Sequence, residues 1–316
     1  MDSLKGWLPI RIWQQDGQWW VDWCWFGQQP LEQPFFRDAV EQALRLPFNQ
    51  ALRRQTPLQV LCEWPVADIQ PVAFIHHASR CGSTLVCQML ACLDAFIVIS
   101  EAPPVDTLLR ANMAPVLRQA ALRGLLAAYG QARRGTERAL VIKHDAWNIG
   151  ELPLMREVFP QVPWLFIYRD PLEIAVSHRR APGMHMVPGM IGASCLDDPA
   201  HDPACREDFI AGRVGRTLAL GLEQCRRAGG WALDYRDVLE AMHGPLGDLL
   251  GLTAQDRETA RAASRQHAKQ PAQVFVGDSQ HKQEEASELL KARVEHWARA
   301  AYSGLQQLGR GRAPDH

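Results

Sequence analysis

Apolar positions along this chain fall into two regimes that change near residue 70. Beyond that point, short continuous apolar runs alternate with longer stretches in which apolar residues recur every three or four positions. The runs 72–77, 95–100, 140–143 and 164–168 have the length and β-branched content of buried strands, and 231–235 adds a fifth. Between them the spacing predicts helices over 84–93, 105–111, 171–180 and about 207–227. The last carries Ile210, Val214, Gly221 and Cys225 on one stripe. The 171–180 helix has start signals: Asp170 as N-cap, Pro171 in the first turn and Glu173 as the third member of a capping box. Continuous apolar strands alternating with helices argue for an α/β domain of three layers, α/β/α, around a mostly parallel sheet covered on both faces.

The first 70 residues read differently. Asp16-Gly17 separates two aromatic and β-branched runs, which predicts a β-hairpin over 10–25. Six tryptophans (Trp7, Trp13, Trp19, Trp20, Trp23 and Trp25) lie here, and Trp19, Val21, Trp23 and Trp25 share one strand face. That face suits either stacking on a flat ligand such as a sugar or packing onto the main domain, and packing is the favoured reading. A helix is expected over 37–46, broken by Pro47, with a short continuation to Arg54. The chain thus divides into an appendage (1–70), an α/β domain (71–308) and a flexible tail (309–316). Residues 181–205, rich in Pro, Gly, Met and Asp and without a period, suit a lid or binding loop. The remainder reads as helical, ending over 283–308.

Composition narrows the function classes. With 316 residues, 47% of them hydrophobic, the chain can build a sizeable core. Its formal net charge of -1 gives no global field toward nucleic acid or an acidic membrane, so neither is an expected partner and any anion site must be local. The eight cysteines form no Cys-x-x-Cys pair and several sit in apolar runs, a usage that fits reduced thiols in a cytoplasm. The first residues lack a basic region followed by an apolar stretch, and no apolar run is long enough to span a bilayer, so a cytoplasmic location is expected.

The segment His76-His77-Ala78-Ser79-Arg80-Cys81-Gly82-Ser83-Thr84 lies between a predicted strand and a predicted helix. A turn of small residues lets backbone N–H groups approach an anion, and the helix start adds partial positive charge and two hydroxyls. This is the plan of a phosphate-binding loop, without the Walker lysine: Ser83 stands in its place, and the cation is Arg80. Ligands of open parallel sheets bind beyond the carboxyl ends of the strands. Here those ends lead into the 79–84 loop, Ser100-Glu101, Lys143-His144-Asp145 and Arg169-Asp170. Two rivals remain at this level: an ATP-dependent kinase or NTPase with a degenerate loop, and a binding protein on a degenerate nucleotide fold. A metal site within 195–205 (Cys195, Asp197, Asp198, His201, Asp202, Cys205) has suitable ligand types but matches no zinc spacing, so no metal is expected and a mobile acidic lid is favoured. His76 and His77 flank the loop as donor contacts or as partners of local backbone groups.

The sequence resembles the family of sulfotransferases that use 3′-phosphoadenylyl sulfate (PAPS), which have a P-loop-like α/β fold. Ser-Arg-Cys-Gly-Ser-Thr-Leu (79–85) is similar to that family's 5′-phosphosulfate loop. Tyr-Arg-Asp-Pro-Leu-Glu-Ile-Ala-Val-Ser (168–177) is similar to its 3′-phosphate motif, and Leu-Asp-Tyr-Arg-Asp-Val (233–238) to its later Tyr-Glu-Asp-Leu segment. The resemblance covers roughly 71–245. It implies that Ser79, Arg80, Cys81, Gly82, Ser83 and Thr84 hold the 5′-phosphate and bridging oxygen, that Arg169 and Ser177 hold the 3′-phosphate, and that Tyr235 joins the nucleotide site. It implies Lys143 as the cation facing the transferred sulfuryl group, and as the base Glu101 first and His144 second. Apart from the resemblance, Glu101 also suits an N-terminal charge for the following helix. Arg80 stands where Lys is more familiar, and no Arg-Lys-Gly motif occurs near the C-terminus, for which Lys282, after Gly277-Asp278-Ser279, is the candidate substitute. The implied activity is sulfuryl transfer from PAPS to a hydroxyl or amine without metal. The Met-rich 184–190 stretch favours a small organic acceptor, and a homodimer is the expected assembly, if any.

Overall fold

The structure, a computed structural model, describes residues 4–264, 266–267, 270–274 and 279–309. Asp16 and Gly17, both in the left-handed region (φ 49° and 80°), close a hairpin of β1 (Trp7–Gln15) and β2 (Gln18–Trp25). A left-handed pair matches the twist of a two-residue hairpin turn, which is why Asp-Gly marks it. The expected helix forms over Phe36–Leu44, and its continuation stops at Ala51, short of Arg54. Arg54 instead starts β3 (Arg54–Pro57), which pairs antiparallel with β2. Four residues ending in proline carry too little pattern to announce a strand; the backbone edge of β2 recruits them.

The tryptophan face is spent on packing. Trp23 stacks on Trp64 at 5.3 Å, and Trp25 meets Trp7 at 5.8 Å and Phe48 at 5.7 Å. Polar ties fix this layer to the helix Pro115–Tyr129: the Tyr129 hydroxyl donates to the Pro9 carbonyl at 3.0 Å, and the Gln131 amide donates to the Trp7 carbonyl and accepts from the Gly6 N–H. Gly124 is required there, since a Cβ would stand 1.6 Å from the Leu61 carbonyl oxygen. The buried residues of the appendage and of the α/β domain form one apolar core.

Every predicted strand of the main domain is present: β4 (Pro71–His77), β5 (Phe96–Ser100), β6 (Ala139–Lys143), β7 (Trp164–Tyr168) and β8 (Trp231–Asp234). All neighbours are parallel, in the order β5-β6-β4-β7-β8. The fold is thus an α/β parallel sheet clad in helices, as the unbroken apolar runs require. The long helix Arg206–Ala228 packs on β7 and β8 and beneath the helix Glu288–Gly309. Its Gly221 admits the Phe166 ring, which a Cβ would meet at 2.3 Å. Residues 181–205 form turns and one short 3-10 helix, Met184–Met186. Among the described residues no helix is long and apolar enough to cross a membrane. The expected tail lies outside the described residues except for Gly309, which ends the last helix.

Candidate functional site

The order of the sheet puts β4 at its centre, between β6 and β7, so the segments leaving β4, β5, β6 and β7 meet at one carboxyl edge. A cavity of about 620 Å³ opens there. Its wall includes all six residues of the 79–84 loop together with Glu101, Arg169, Ser177, Tyr235 and Lys282.

The loop is held in an uncommon backbone. Ser79, Arg80 and Gly82 have φ of 60°, 48° and 84°. Non-glycine residues in this region cost of order 1–3 kcal/mol each and persist where surrounding structure imposes them. Part of that imposition comes from His77, whose Nδ1 accepts the Ser79 N–H at 3.0 Å. At Gly82 the cause is contact: a Cβ would sit 2.4 Å from the Tyr235 ring. The helix Ser83–Ala91 begins at once, so its first N–H groups and the Ser83 and Thr84 hydroxyls belong to the same concavity. Cys81 contributes backbone only: its thiol donates to the Ile167 carbonyl, and burial pushes its pKa up to about 11. Arg80 reaches across the opening to donate to the Ala181 carbonyl at 2.8 Å.

Arg169 and Ser177 converge on one residue. The Arg169 guanidinium pairs with the Glu173 carboxylate, and the Ser177 hydroxyl donates to the Glu173 carbonyl at 2.8 Å. The helix Pro171–Arg180 starts where predicted, with Asp170 accepting from the Leu172 and Glu173 N–H groups at 2.9 and 3.2 Å. The Glu173 side chain, expected in a capping box, pairs instead with the buried Arg169 guanidinium one turn away. Tyr235 joins the two groups: its ring lies against Gly82 and under Arg169, whose guanidinium carbon is 4.5 Å from the ring centre. Lys282, 6% exposed, lines the same wall. So does Arg180, which the sequence did not single out, tied to Glu285 at 2.9 Å.

Between these groups and the opposite wall stands a third cluster. Lys143, its side chain fully enclosed, pairs with Glu101 and donates to the Ser100 hydroxyl at 3.3 Å. Glu101 has a φ of 52° and donates its own N–H to the Lys143 carbonyl, which turns the side chain back toward the cavity. Burial alone would raise the Glu101 carboxyl, but the Lys143 ammonium and the His77 ring hold it well below the ordinary range. For Lys143, burial works against the charge and the Glu101 carboxylate restores it, leaving the ammonium above its usual value. His77, whose Nδ1 is an acceptor, carries its proton on Nε2, 3.0 Å from the His144 carbonyl and 3.3 Å from Glu101. His77 thus serves local backbone groups and the cavity at once.

His144, the second choice for a base, is not on the cavity wall. Side chains alternate along an extended segment, so Lys143 on the site side sends His144 to the other. Its ring is 1% exposed, stacked on His76 at 4.4 Å and against Phe74 at 5.6 Å, and burial lowers its pKa to about 3. Among the described residues none of the four ring nitrogens of His76 and His144 has a hydrogen-bond partner.

The wall facing the loop holds Asp145, which the sequence placed at a strand end without a role, and residues the sequence did not single out: Phe35, Arg37, Asp38, Asp106, Trp147 and His185. No motif joins residues from so many segments; only the topology brings them together. The 195–205 segment disperses its supposed metal ligands. The Cys195 thiol donates to the Trp147 carbonyl, Asp197 pairs with Arg213, and the His201 ring packs on Trp297. Among the described residues no group of three or more His, Cys, Asp or Glu side chains is placed to hold a metal ion.

No family profile matches the chain, and no curated protein does. Among solved structures it is similar to a sulfotransferase from Alicyclobacillus acidocaldarius, at 13% identity and a TM-score of 0.42 over 77% of this chain and 97% of that one. It is also similar to a sulfotransferase from Mycobacterium avium, at 15% identity and a TM-score of 0.37 over 65% of this chain and 69% of that one. Both likenesses are distant.

Proposed function

We propose that this chain is a sulfotransferase that takes its sulfuryl group from PAPS and passes it, by in-line displacement, to a hydroxyl or amine of a small acceptor. The observation that carries the reading is that the cation-bearing 79–84 loop and the Arg169–Ser177 pair line one cavity, with Tyr235 packed between them. A nucleotide with anionic groups at both the 3′ and 5′ positions suits such a pair of sites. The fit is supported at Gly82, where the loop lies against the Tyr235 ring with no space for a side chain. A kinase reading finds no lysine in the loop.

When bound, PAPS supplies a sulfuryl group activated as a mixed anhydride; the residues do the rest. The loop N–H groups, Ser83, Thr84 and Arg80 bind one end, and Arg169 with Ser177 binds the other after leaving Glu173. Lys143 stabilises negative charge beside the transferred group, and the Glu101 carboxylate accepts the proton of the acceptor. Glu101 is a weak base while it holds Lys143. An anion that draws the ammonium toward itself raises the basicity of Glu101, so proton acceptance is coupled to occupancy of the donor site.

Thermal unfolding with adenosine 3′,5′-bisphosphate, compared with ATP and Mg²⁺, tests the reading. A ligand at a hundred times its Kd adds about 2.7 kcal/mol, which moves Tm by about 5 °C in a chain of this size. The bisphosphate should give that shift and Arg169→Ala should abolish it. A larger shift with ATP and Mg²⁺ than with the bisphosphate would overturn the assignment.

A further inference from the structure

The two halves of the cavity differ in charge. The nucleotide half presents Arg80, Arg169, Arg180 and Lys282, whereas the facing wall presents Asp38, Glu101, Asp106 and Asp145 among Phe35, Trp147 and Met184. Two of these four carboxylates have cation partners already. Glu101 holds Lys143, and Asp106 pairs with Arg110 at 3.3 Å while accepting from the Trp147 and Asn148 side chains at 2.6 and 2.7 Å. The other two do not. Among the described residues the Asp38 carboxylate has no hydrogen bond or ion pair, and Asp145 serves only as the cap of the 3-10 helix Ala146–Glu151. Arg37 shares the rim but is exposed to water.

Burial raises the carboxyls of both Asp38 and Asp145, and the neighbouring carboxylates raise them further (Glu41 and Glu101 for Asp38, Glu101 and Asp106 for Asp145); Arg37 pulls against both and Lys143 against Asp145, but the net direction stays upward. Crowded acids of this kind gain most from a cation that enters with the ligand. A second, independent feature marks the same wall as a ligand surface. His185 is only 4% exposed and lines the cavity beside Trp147 (rings 5.5 Å apart), and among the described residues its Nε2 has no hydrogen-bond partner. A buried imidazole nitrogen left unsatisfied on a cavity wall is a polar contact awaiting an occupant.

We propose that the acceptor is a small hydroxylated amine with an aromatic body, which presents its hydroxyl to Glu101, its ammonium to Asp38 and Asp145, and its ring to Phe35 and Trp147. The neutral His185 supplies the remaining hydrogen bond. An uncharged phenol would fill the apolar surface but leave the two carboxylates without a partner, and an anionic phenol would meet them with like charge. This inference rests on the sulfuryl-transfer reading, since it takes the cationic half of the cavity as occupied by the nucleotide.

The test is calorimetric titration of the full chain, loaded with adenosine 3′,5′-bisphosphate, with tyramine, 4-ethylphenol and 3-(4-hydroxyphenyl)propionate. Tyramine should bind at least tenfold more tightly than 4-ethylphenol and the propionate should not bind. In Asp38→Asn the advantage of tyramine should fall severalfold while the affinity for the bisphosphate is retained. Equal or tighter binding of 4-ethylphenol to the native chain would overturn the proposal without any variant, and an undiminished tyramine preference in Asp38→Asn would overturn the role of Asp38. Bisphosphate binding without amine selection would sink this inference alone. Failure of the bisphosphate to bind would sink the donor assignment and this inference with it.

Discussion

Replacing Glu101 by Gln removes the only carboxylate that Lys143 touches among the described residues while keeping the shape of the side chain. Lys143 is fully enclosed, and Glu101 is 24% exposed at its side chain. Two unit charges at about 4 Å attract by about 4 kcal/mol at an effective dielectric of 20. Breaking a buried pair by removing one partner costs about 3–5 kcal/mol, because the survivor stays desolvated. Partial exposure of Glu101 places the expected loss for Glu101→Gln near the lower bound, about 3 kcal/mol. Lys143→Met should cost less, since the carboxylate it leaves behind reaches both water and His77. The double variant should recover part of the sum, with a coupling of about 2 kcal/mol.

The pH dependence gives the sharper readout. In the native chain the Lys143 ammonium is above its usual value, so its contribution is complete below pH 10 and is lost as pH rises through the folded-state value. In Glu101→Gln, burial acts on Lys143 with its largest compensating charge gone and only the weaker pull of Cys87 and Asp145 left, and its pKa falls below that of the unfolded chain. The sign then reverses: between those two values the unfolded chain binds more protons, so the variant gains stability as pH rises. Urea unfolding followed by tryptophan fluorescence at pH 7 and 9.5 should show the gap between native and variant narrowing at the higher pH. A Glu101→Gln variant as stable as the native chain, with no narrowing, would refute the claim that this carboxylate holds Lys143 charged.

Three further outcomes follow from the geometry. Gly82→Ala should lower stability by about 1–3 kcal/mol and abolish the bisphosphate-induced Tm shift, since φ of 84° is strained for alanine and its Cβ would strike Tyr235. His144→Phe should be stabilising, and more so in acid. The buried imidazole at about 3 against an ordinary 6.5 costs the native fold about 1.4 kcal/mol per pH unit below 6.5, or about 2 kcal/mol at pH 5, so native and variant Tm should diverge as pH falls. Sulfuryl transfer should persist in EDTA, because Arg80, Lys143 and Arg169 supply the positive charge; loss restored by Mg²⁺ would contradict the proposed mechanism.

The sheet was legible because buried parallel strands are nearly uninterrupted apolar runs, and the five in this chain are bounded by Gly, Pro and charged residues that mark their ends. The loop and Arg169 were legible because each lies within a few residues of a strand end, where local spacing fixes position. Glu101 could be placed at the edge but its partner could not, since Lys143 lies 42 residues away and the pairing of β5 with β6 brings them together. His144 lies off the cavity wall for a local reason that proximity to Lys143 concealed: adjacent residues of an extended segment face opposite ways. Asp38 and His185 were invisible because they come from the appendage and from the 181–205 loop, which share no pattern, and Asp145 could be placed at the strand end but not given a role. Strand β3 was missed because only the exposed edge of β2 makes those four residues extended.

Four cations around the cavity are already engaged by this protein's own acceptors: Arg169 by Glu173, Lys143 by Glu101, Arg180 by Glu285 and Arg80 by the Ala181 carbonyl. That arrangement answers a physical problem. Several buried or half-buried cations around one cavity would repel one another and shed protons or stability if left uncompensated. Internal acceptors neutralise them, and because each contact is a side chain or a single carbonyl, an incoming anion can replace it without unfolding an element. Under the proposed function, binding at this site is therefore an exchange of partners. Its net free energy is smaller than the bare attraction of four cations for a nucleotide, and it liberates Glu173 and Glu101 in the same step. Glu101, at φ 52° beside the cavity, is the one of these acceptors whose freed carboxylate faces the acidic wall where the acceptor would sit. In the proposed reaction the resting ion pairs would do two jobs with one set of contacts: they keep the cations charged, and they would withhold Glu101 as base until the donor site is filled.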